Sequence, residues 1–295
     1  MEFKHTPVLL KEVIENLRPS KNENYFDGTV GGGGYACEIL KHNGPNGKLV
    51  GVDVDAAAIA ASNVRLENFK DRAIIENQSY ADILKIAEAY QLQFDVAVLD
   101  LGVSSYQLDE DLRGFSFSKD APLDMRMSGG AALSAFNVVN EYSEKRLVAI
   151  FEEYGEERFA DRIAGSIIEK RRSIPIKTTL ELEEICFRCY PRQLRKGRIH
   201  PATKIFQAIR IEVNGELENL KKFLSDVPRV LKHGGRIVIV SYHSLEDRIV
   251  KTEFRQMVSS GGFEFEVKKA IRPADSEILA NPRSRSAKLR CVVKK

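Results

Sequence analysis

Asp27-Gly28-Thr29-Val30-Gly31-Gly32-Gly33-Gly34 follows directly on the apolar pair Tyr25-Phe26 and leads into a helical pattern. A strand that ends in a carboxylate and breaks into glycines before a helix is where backbone free of side chains approaches a ligand closely. Farther along, Gly51-Val52-Asp53-Val54-Asp55 closes a second strand-like run, with Asp53 lying 22 residues beyond Gly31. A carboxylate there can accept hydrogen bonds from both hydroxyls of a ribose. The two features in this order predict a nucleoside site at the carboxyl edge of a parallel sheet.

Outward from this stretch, a helical pattern at 9–17 precedes the first strand, and a strand at 48–54 leads into a helix at 56–68. Strand, helix and strand follow at 73–77, 80–90 and 94–101. This βαβαβ rhythm implies a parallel sheet covered on both faces by helices. From about 109 to 200 the strand-like runs give way to helical ones at 144–154, 158–172 and 179–190. Thr178 and Glu181 have the spacing of a capping box before the last of these. The α/β rhythm then returns with a helix at 217–232, a turn at Gly234-Gly235, a β-branched strand at 236–242 and a helix at 244–257. Closing strands at 263–269 and 288–293 are expected to pair as an antiparallel edge hairpin. The expected division is a sheet domain in two parts, 1–108 and 203–295, around an inserted helical domain, 109–202, for RNA or substrate recognition.

With 43% hydrophobic and 29% charged residues over 295, the chain can bury a sizeable core, and a net charge of +3 gives nucleic acid only a weak push. No apolar run is long enough to cross a bilayer, and the start lacks the layout of a signal peptide, so a cytoplasmic protein without membrane association is expected. Cys37, Cys186, Cys189 and Cys291 are too scattered for a disulfide framework. Cys186 and Cys189 form one CxxC pair inside a helical run with no second pair to complete a site, and no metal is expected.

The glycines leave the cofactor open, because Gly31-x-Gly33-x-x-Ala36 also satisfies the dinucleotide fingerprint of an NAD-dependent enzyme. Asp27 argues for the other choice: pyrophosphate would be repelled by it, whereas the cationic methionine end of S-adenosylmethionine would be attracted.

The fourth strand runs into Asp100-Leu101-Gly102-Val103-Ser104-Ser105-Tyr106-Gln107-Leu108-Asp109, followed by Arg113-Gly114-Phe115-Ser116-Phe117 and Pro122-Leu123-Asp124-Met125-Arg126-Met127. Farther on come the block opening His200-Pro201-Ala202-Thr203-Lys204 and closing Arg210-Ile211-Glu212-Val213-Asn214, then Ser241-Tyr242-His243-Ser244-Leu245-Glu246-Asp247-Arg248. With His5-Thr6-Pro7-Val8-Leu9-Leu10 and Asn281-Pro282-Arg283-Ser284-Arg285-Ser286, these blocks resemble the bacterial small-subunit rRNA cytosine-N4 methyltransferase family over nearly the whole chain. The resemblance implies a Rossmann-like, class I seven-stranded methyltransferase sheet. It implies methyl transfer from S-adenosylmethionine to the exocyclic amine of one cytidine in the decoding region of 16S rRNA, with S-adenosylhomocysteine as the other product. Cofactor contacts are implied at Gly33, Gly34, Tyr35, Asp53, Asp100 and Gln107, beside Gly31 of the glycine turn, with Tyr80 on the adenine face. One departure is visible: Tyr35 stands where the family's loop usually carries His, which puts any proton-handling role there in doubt.

The amine of cytosine is a poor nucleophile, so the site must align it with the methyl and accept hydrogen bonds from it as charge develops. Asp100, at the carboxyl end of the fourth strand, suits that task, and His243, Asp247 and Asp109 are further candidates for base contact or proton removal. The bland alternatives are that His243 caps a helix, that Asp247 pairs with Arg248 or solvent, and that Asp124 pairs with Arg126. Between 185 and 211, Arg188, Arg192, Arg195, Lys196, Arg198, Lys204 and Arg210 occur with no acidic residue, which predicts phosphate contacts, and Tyr190 and Phe206 are expected to stack on bases. A second acid-free stretch carries Arg283, Arg285, Lys288, Arg290, Lys294 and Lys295. The target base is expected to be unpaired. A binding module without catalysis remains an alternative, and monomer and homodimer both remain open.

Overall fold

The computed structural model describes residues 7–103, 113–197 and 199–295. It divides into two compact units, one made of the described residues up to 102 together with 217–295, the other of those from 103 to 216.

The first unit is built on a seven-stranded sheet in the order β3-β2-β1-β4-β5-β7-β6. In chain order its elements are α1 (Leu10–Leu17), β1 (Tyr25–Asp27), α2 (Gly34–His42), β2 (Leu49–Val52), α3 (Ala56–Arg65), β3 (Ala73–Glu76), α4 (Ile83–Tyr90) and β4 (Phe94–Asp100). β1 pairs in parallel with β2 and with β4, and β4 with β5 (Leu231–Ser241). β7 (Lys288–Lys294) runs antiparallel between β5 and β6 (Phe263–Phe265). The doubly covered Rossmann-like sheet is therefore as expected. The closing strands are antiparallel at one edge, although the one expected at 263–269 ends at Phe265. The Gly234-Gly235 turn lies within β5: Leu231 pairs with Phe94, the chain makes an excursion, and pairing resumes with Arg236 opposite Val96.

Alternation along the strands divides the core. Phe26, Val50, Val52, Ala97, Leu99, Ile237 and Ile239 face one way, with Ile83 and Ile86 of α4 and Phe254 in their cluster. Tyr25, Leu49, Val96, Val98, Val238 and Val240 face the other way, clustered with Val13 and Leu17 of α1 and Ile39 and Leu40 of α2. Successive strand side chains point to opposite faces, so each strand feeds both cores, which explains apolar runs without polar alternation.

The second unit is helical among its described residues: α5 (Ala135–Glu141), α6 (Glu144–Glu153), α7 (Ala160–Ser173), α8 (Thr179–Cys189) and α9 (Thr203–Asn214). Reciprocal capping boxes start α5 at Ser134 and α8 at Thr178, the latter as the sequence predicts. Its core joins Val138, Leu147, Ile150, Phe151, Ile163, Ile167, Leu182 and Cys186 to Ile205, Phe206 and Ile209 of α9. That packing moves the expected boundary at 202/203 to 216/217. Asn214 strengthens the link, donating to the Met125 carbonyl at 2.8 Å and accepting from the Met127 N–H at 2.8 Å. At the other end the unit begins at 103 rather than 109. α10 (Glu216–Val230), α11 (Ser244–Ser259) and α12 (Asp275–Ala280) complete the chain. Among the described residues, no helix is long and apolar enough to cross a membrane.

Gly114 sits at φ 69°, and a Cβ on it would come within 2.2 Å of the Pro122 carbonyl oxygen. Backbone cannot yield as a flexible side chain can, so Gly114→Ala should destabilise the helical unit by roughly 2–4 kcal/mol. A urea titration that left its unfolding midpoint unchanged would contradict this packing.

Candidate functional site: an acidic crevice at the carboxyl edge of the sheet

Strand register assembles the site. Asp27, the last residue of β1, lies beside Gly51 of β2 and Val98 of β4. Asp53 and Asp100 stand two positions beyond those neighbours, so all three carboxylates belong to the sheet face covered by α1 and α2. Tyr242, two beyond Val240 opposite Asp100, completes the row and donates from its hydroxyl to Asp100 Oδ1 at 2.7 Å.

Asp27 is 1% exposed, its Oδ1 accepts from the Thr29 N–H at 3.2 Å, and its Oδ2 has no partner. Burial pushes its carboxyl up to about 7, reinforced by the negative charges of Asp100 and Asp53 and opposed by the Thr29 hydrogen bond. Burial likewise pushes Asp100 to about 7, with the Tyr242 hydrogen bond pulling down and Glu246 pushing up. Asp53 rises to about 6 through burial, although backbone N–H groups of Asp55 and Gly31 hold it back. Acids kept from water beside other acids suit a cation and repel phosphate. The donor set therefore fits a sulfonium and ammonium group and opposes the dinucleotide alternative.

The glycine turn follows its expected course. Gly31 and Gly33 take positive φ of 50° and 74°, and a Cβ at Gly31 would meet nothing nearer than the Thr29 carbonyl oxygen at 3.8 Å, so the space above it is open. Asp53 clamps the turn by accepting from the Gly31 N–H at 3.1 Å, while its other oxygen accepts from Asp55 N–H at 2.9 Å. The residue capping α3 is Asp55, not Asp53, which leaves Asp53's remaining lone pairs for a ligand. Thr29 Oγ1 accepts from the Asp100 N–H at 2.6 Å and ties the turn to β4. Tyr80 is half-buried, with its ring edge-on to Phe223 at 5.8 Å and its Cβ against Gly28.

Tyr35 lies in the core rather than at an open position. Its hydroxyl donates to the Val8 carbonyl oxygen, and burial, then the charges of Asp100 and Asp27, push its pKa well up. It fastens the segment Pro7-Val8-Leu9 to the glycine turn, where Pro7 also packs on Gly34. A buried hydroxyl of raised pKa donates hydrogen bonds and does not carry protons at neutral pH.

Two of the other catalytic candidates have structural duties. His243 is the N-cap of α11: its Nδ1 accepts from the Glu246 N–H at 3.4 Å, and Glu246 Oε2 accepts from the His243 N–H at 3.2 Å. Asp247 accepts from Arg290 Nε at 2.7 Å and Lys288 Nζ at 2.8 Å. Burial alone would raise its pKa, but these two cations win and hold it below the ordinary carboxylate range. A carboxylate so paired is a poor base. Asp124 forms a bidentate pair with Arg126 at 2.8 Å, as the bland alternative has it. Gln107, Asp109 and Arg198 lie outside the described residues.

The basic runs sort the same way. In the second unit, Arg192 and Lys196 are exposed, and exposed Leu194 and Ile199 lie in the same stretch. Arg188 pairs with Glu184, so this acid one turn back tempers the run. Arg195 bonds the carbonyls of Tyr190 and Arg188 and lies over the Phe187 ring, Lys204 bonds the Glu156 carbonyl at 2.6 Å, and Arg210 pairs with Glu216. Phe206 is a core residue and is not free to stack on a base, while Tyr190 packs edge-on to Phe159 with its hydroxyl bonded to Glu157. Of the C-terminal stretch, Lys288 and Arg290 serve Asp247, and Lys294 caps the carbonyls of Pro228 and Leu231. Cys186 and Cys189 are buried, with the Cys189 thiol 3.2 Å from Ser166 Oγ.

Sequence reasoning missed Tyr242, Thr29 and Glu246 at this site. Tyr242 was legible in principle, because strand period and the position of Asp100 on the neighbouring strand put both on one face. No local signal marks Thr29, whereas Glu246 stands at capping-box spacing from His243.

A sheet of this order, with a glycine turn after β1 and carboxylates closing β1 and β4 and following β2, defines a Rossmann-like methyltransferase. The chain belongs to the MraW methylase family, whose model matches residues 2–295. It is 47% identical over 302 residues to the ribosomal RNA small subunit methyltransferase H of Syntrophus aciditrophicus, covering 97% of this chain and 96% of that protein. The proteins of the same name from Syntrophotalea carbinolica and Clostridium botulinum (strain Loch Maree) are 45% and 46% identical, with 98% of each chain covered. An rRNA methylase structure from Streptococcus thermophilus aligns with 100% of this chain and 99% of its own at 10% identity and a TM-score of 0.46, a likeness too remote to bear on function.

The raised carboxyls have a consequence for stability. With unfolded values near 3.9 and folded values of about 7 for Asp27 and Asp100, the folded ligand-free protein binds more protons between those limits. Stability therefore falls as pH climbs from about 4 to about 7 on their account. Asp27→Asn should raise the melting temperature more at pH 8 than at pH 5, and differential scanning fluorimetry at both values checks it; a larger gain at pH 5 would contradict the assignment.

Proposed function

We infer that the chain is an S-adenosylmethionine-dependent methyltransferase that methylates the exocyclic N4 amine of a cytidine in 16S rRNA of the small ribosomal subunit, an activity of the cytoplasm. The observation that carries this reading is the row Asp27, Asp53 and Asp100 beside the open glycine turn, in a chain of the MraW methylase family. The names of its relatives support the small-subunit rRNA substrate.

When bound, S-adenosylmethionine supplies an electrophilic methyl group on a positively charged sulfur. Asp53 would hold the ribose hydroxyls, the backbone of Gly31, Gly33 and Gly34 would let the nucleoside approach, and Tyr80 would lie on the adenine side. Asp27 and Asp100 would receive the cationic end. Asp100 is also the acceptor best suited to orient the cytosine amine, because the Tyr242 hydroxyl fixes one of its oxygens. His243 and Asp247 orient α11 and β7 instead of meeting the base. Gln107 keeps only the cofactor contact that the family resemblance implies, and Asp109 only its candidacy for base contact.

In the helical unit, the exposed Arg192 and Lys196 are the residues freest to meet phosphate, beside Leu194 and Ile199, which offer apolar contact to an unstacked base. Arg188, Arg195 and Lys204 would add partly committed charge.

Small subunits from cells lacking the gene, incubated with this protein and methyl-labelled S-adenosylmethionine, should gain one N4-methylcytidine in 16S rRNA, read by mass spectrometry of nuclease digests. No labelled cytidine would refute the reading. Asp53→Ala should weaken S-adenosylmethionine binding by about 1.5–3 kcal/mol, the worth of hydrogen bonds to a charged acceptor, and an unchanged dissociation constant would remove Asp53 from the site. Replacing Arg192 and Lys196 with Ala should weaken RNA binding and flatten its salt dependence while leaving cofactor affinity alone; an equal loss of cofactor affinity would mark the run as structural.

A further inference from the structure

The carboxylate row carries more charge than ribose recognition requires, and one of its oxygens is buried with nothing to bind. Asp27 Oδ2 is the clearest sign: the side chain is 1% exposed, its other oxygen is satisfied by the Thr29 N–H, and the free one lies on the sheet face shared with Asp53 and Asp100. A buried acceptor without a donor is costly and marks either a bound proton or a missing partner.

We propose that Asp27, Asp53 and Asp100 form a proton-linked cation site, which exchanges protons for the charge of the methyl donor and so distinguishes sulfonium donor from uncharged thioether product. The inference rests on the methyltransferase reading above. The two ligands share adenosine, ribose, ammonium and carboxylate and differ in the methyl group and one unit of positive charge at sulfur. Shape offers one methyl group for discrimination, whereas an acidic row in a poorly hydrated crevice responds strongly to that charge.

The surroundings decide how the protons are held. Toward the row face Tyr35 from α2, Tyr242 after β5 and Glu246 from α11, with Glu277 of α12 acting on Tyr35. Each is an acid or a hydroxyl; of the basic groups beside them, His243 Nε2 lies 3.2 Å from Glu246 Oε1, and Arg65 of α3 is spent on the Gly32 carbonyl at 3.0 Å. Burial sets Asp27 and Asp100 near neutrality, so the ligand-free site holds protons at pH 7 that a cation must displace. The sign follows: a group protonated in the empty site and ionised in the complex makes binding weaken as pH falls below its empty-site value, by up to tenfold per pH unit for each proton displaced. The product, lacking the sulfonium, displaces fewer protons and weakens less.

Isothermal titration calorimetry of the full chain at pH 7, in buffers of different ionisation enthalpy, reads the protons directly. S-adenosylmethionine should release more protons than S-adenosylhomocysteine, and the ratio of their affinities should move toward the donor between pH 5.5 and pH 8. Asp27→Asn should release fewer protons with the donor. Tyr242→Phe, which removes the hydrogen bond that lowers the proton affinity of Asp100, should shift the pH dependence of donor binding upward and serves if the Asp27 variant fails to fold. Equal proton release by the two ligands, or an affinity ratio that does not change with pH, overturns the proposal while leaving the methyltransferase reading intact. Failure of both ligands to bind overturns that reading and the proposal with it.

Discussion

Parallel pairing of β2, β1 and β4 is the constraint from which the site follows. With a side-chain period of two and strands roughly 4.8 Å apart, the pairing of Asp27 with Gly51 and Val98 leaves no choice about Asp53 and Asp100: they must stand on the same face, one on either side and farther out. The apolar residues behind them enforce that register. A slip of one residue would send Tyr25, Val96 and Val98 to the opposite face and drive Phe26, Ala97 and Leu99 into the cluster around α1 and α2. The energy that keeps the acids together is thus supplied by hydrophobic packing far larger than their mutual repulsion.

Acids of the same type acquire opposite characters within a few residues of one another. Burial, with Glu246 adding to it against the pull of the Tyr242 hydroxyl, raises Asp100 to about 7, whereas the cations Lys288 and Arg290 keep Asp247 ionised. Both lie at the carboxyl edge of the parallel strands, and the difference lies in the two cations that β7 brings to Asp247. Glu246 spends its carboxylate on the backbone N–H groups of Tyr242 and His243, so the α11 terminus is built and the row gains a negative neighbour by the same contact. Local helix capping and the electrostatics of the crevice are therefore not separable at this point.

Most of the fold was legible because its signals are local or periodic. The glycine turn, the strand and helix alternation, and the Thr178 box all rest on residues within a turn or a strand of one another. The helical boundary was not: α9 looks like the start of the returning α/β region, and only long-range packing of Ile205, Phe206 and Ile209 against Leu147 and Phe151 assigns it to the insertion. The same limit applied to side-chain roles. Charge runs reveal nothing about who is already bonded, and Lys204, Lys294 and Arg290 turn out to be committed to carbonyls or a carboxylate. Phe206 misled for a related reason, since an aromatic amid basic residues reads as a stacking platform until its burial is known.

The chain leaves the sheet for the helical unit directly after one of the three carboxylates. β4 ends at Asp100, Gly102 turns at φ 94°, and the chain departs for the helical unit; it rejoins through α10 and enters β5, the strand hydrogen-bonded to β4. The helical unit closes its own core, so it can vary its exposed basic stretch without disturbing the register that holds the acids. Its connection nevertheless begins just after Asp100, the residue proposed to meet the base. A sheet and an insertion that each cluster their own buried residues are thereby joined in the chain directly after β4.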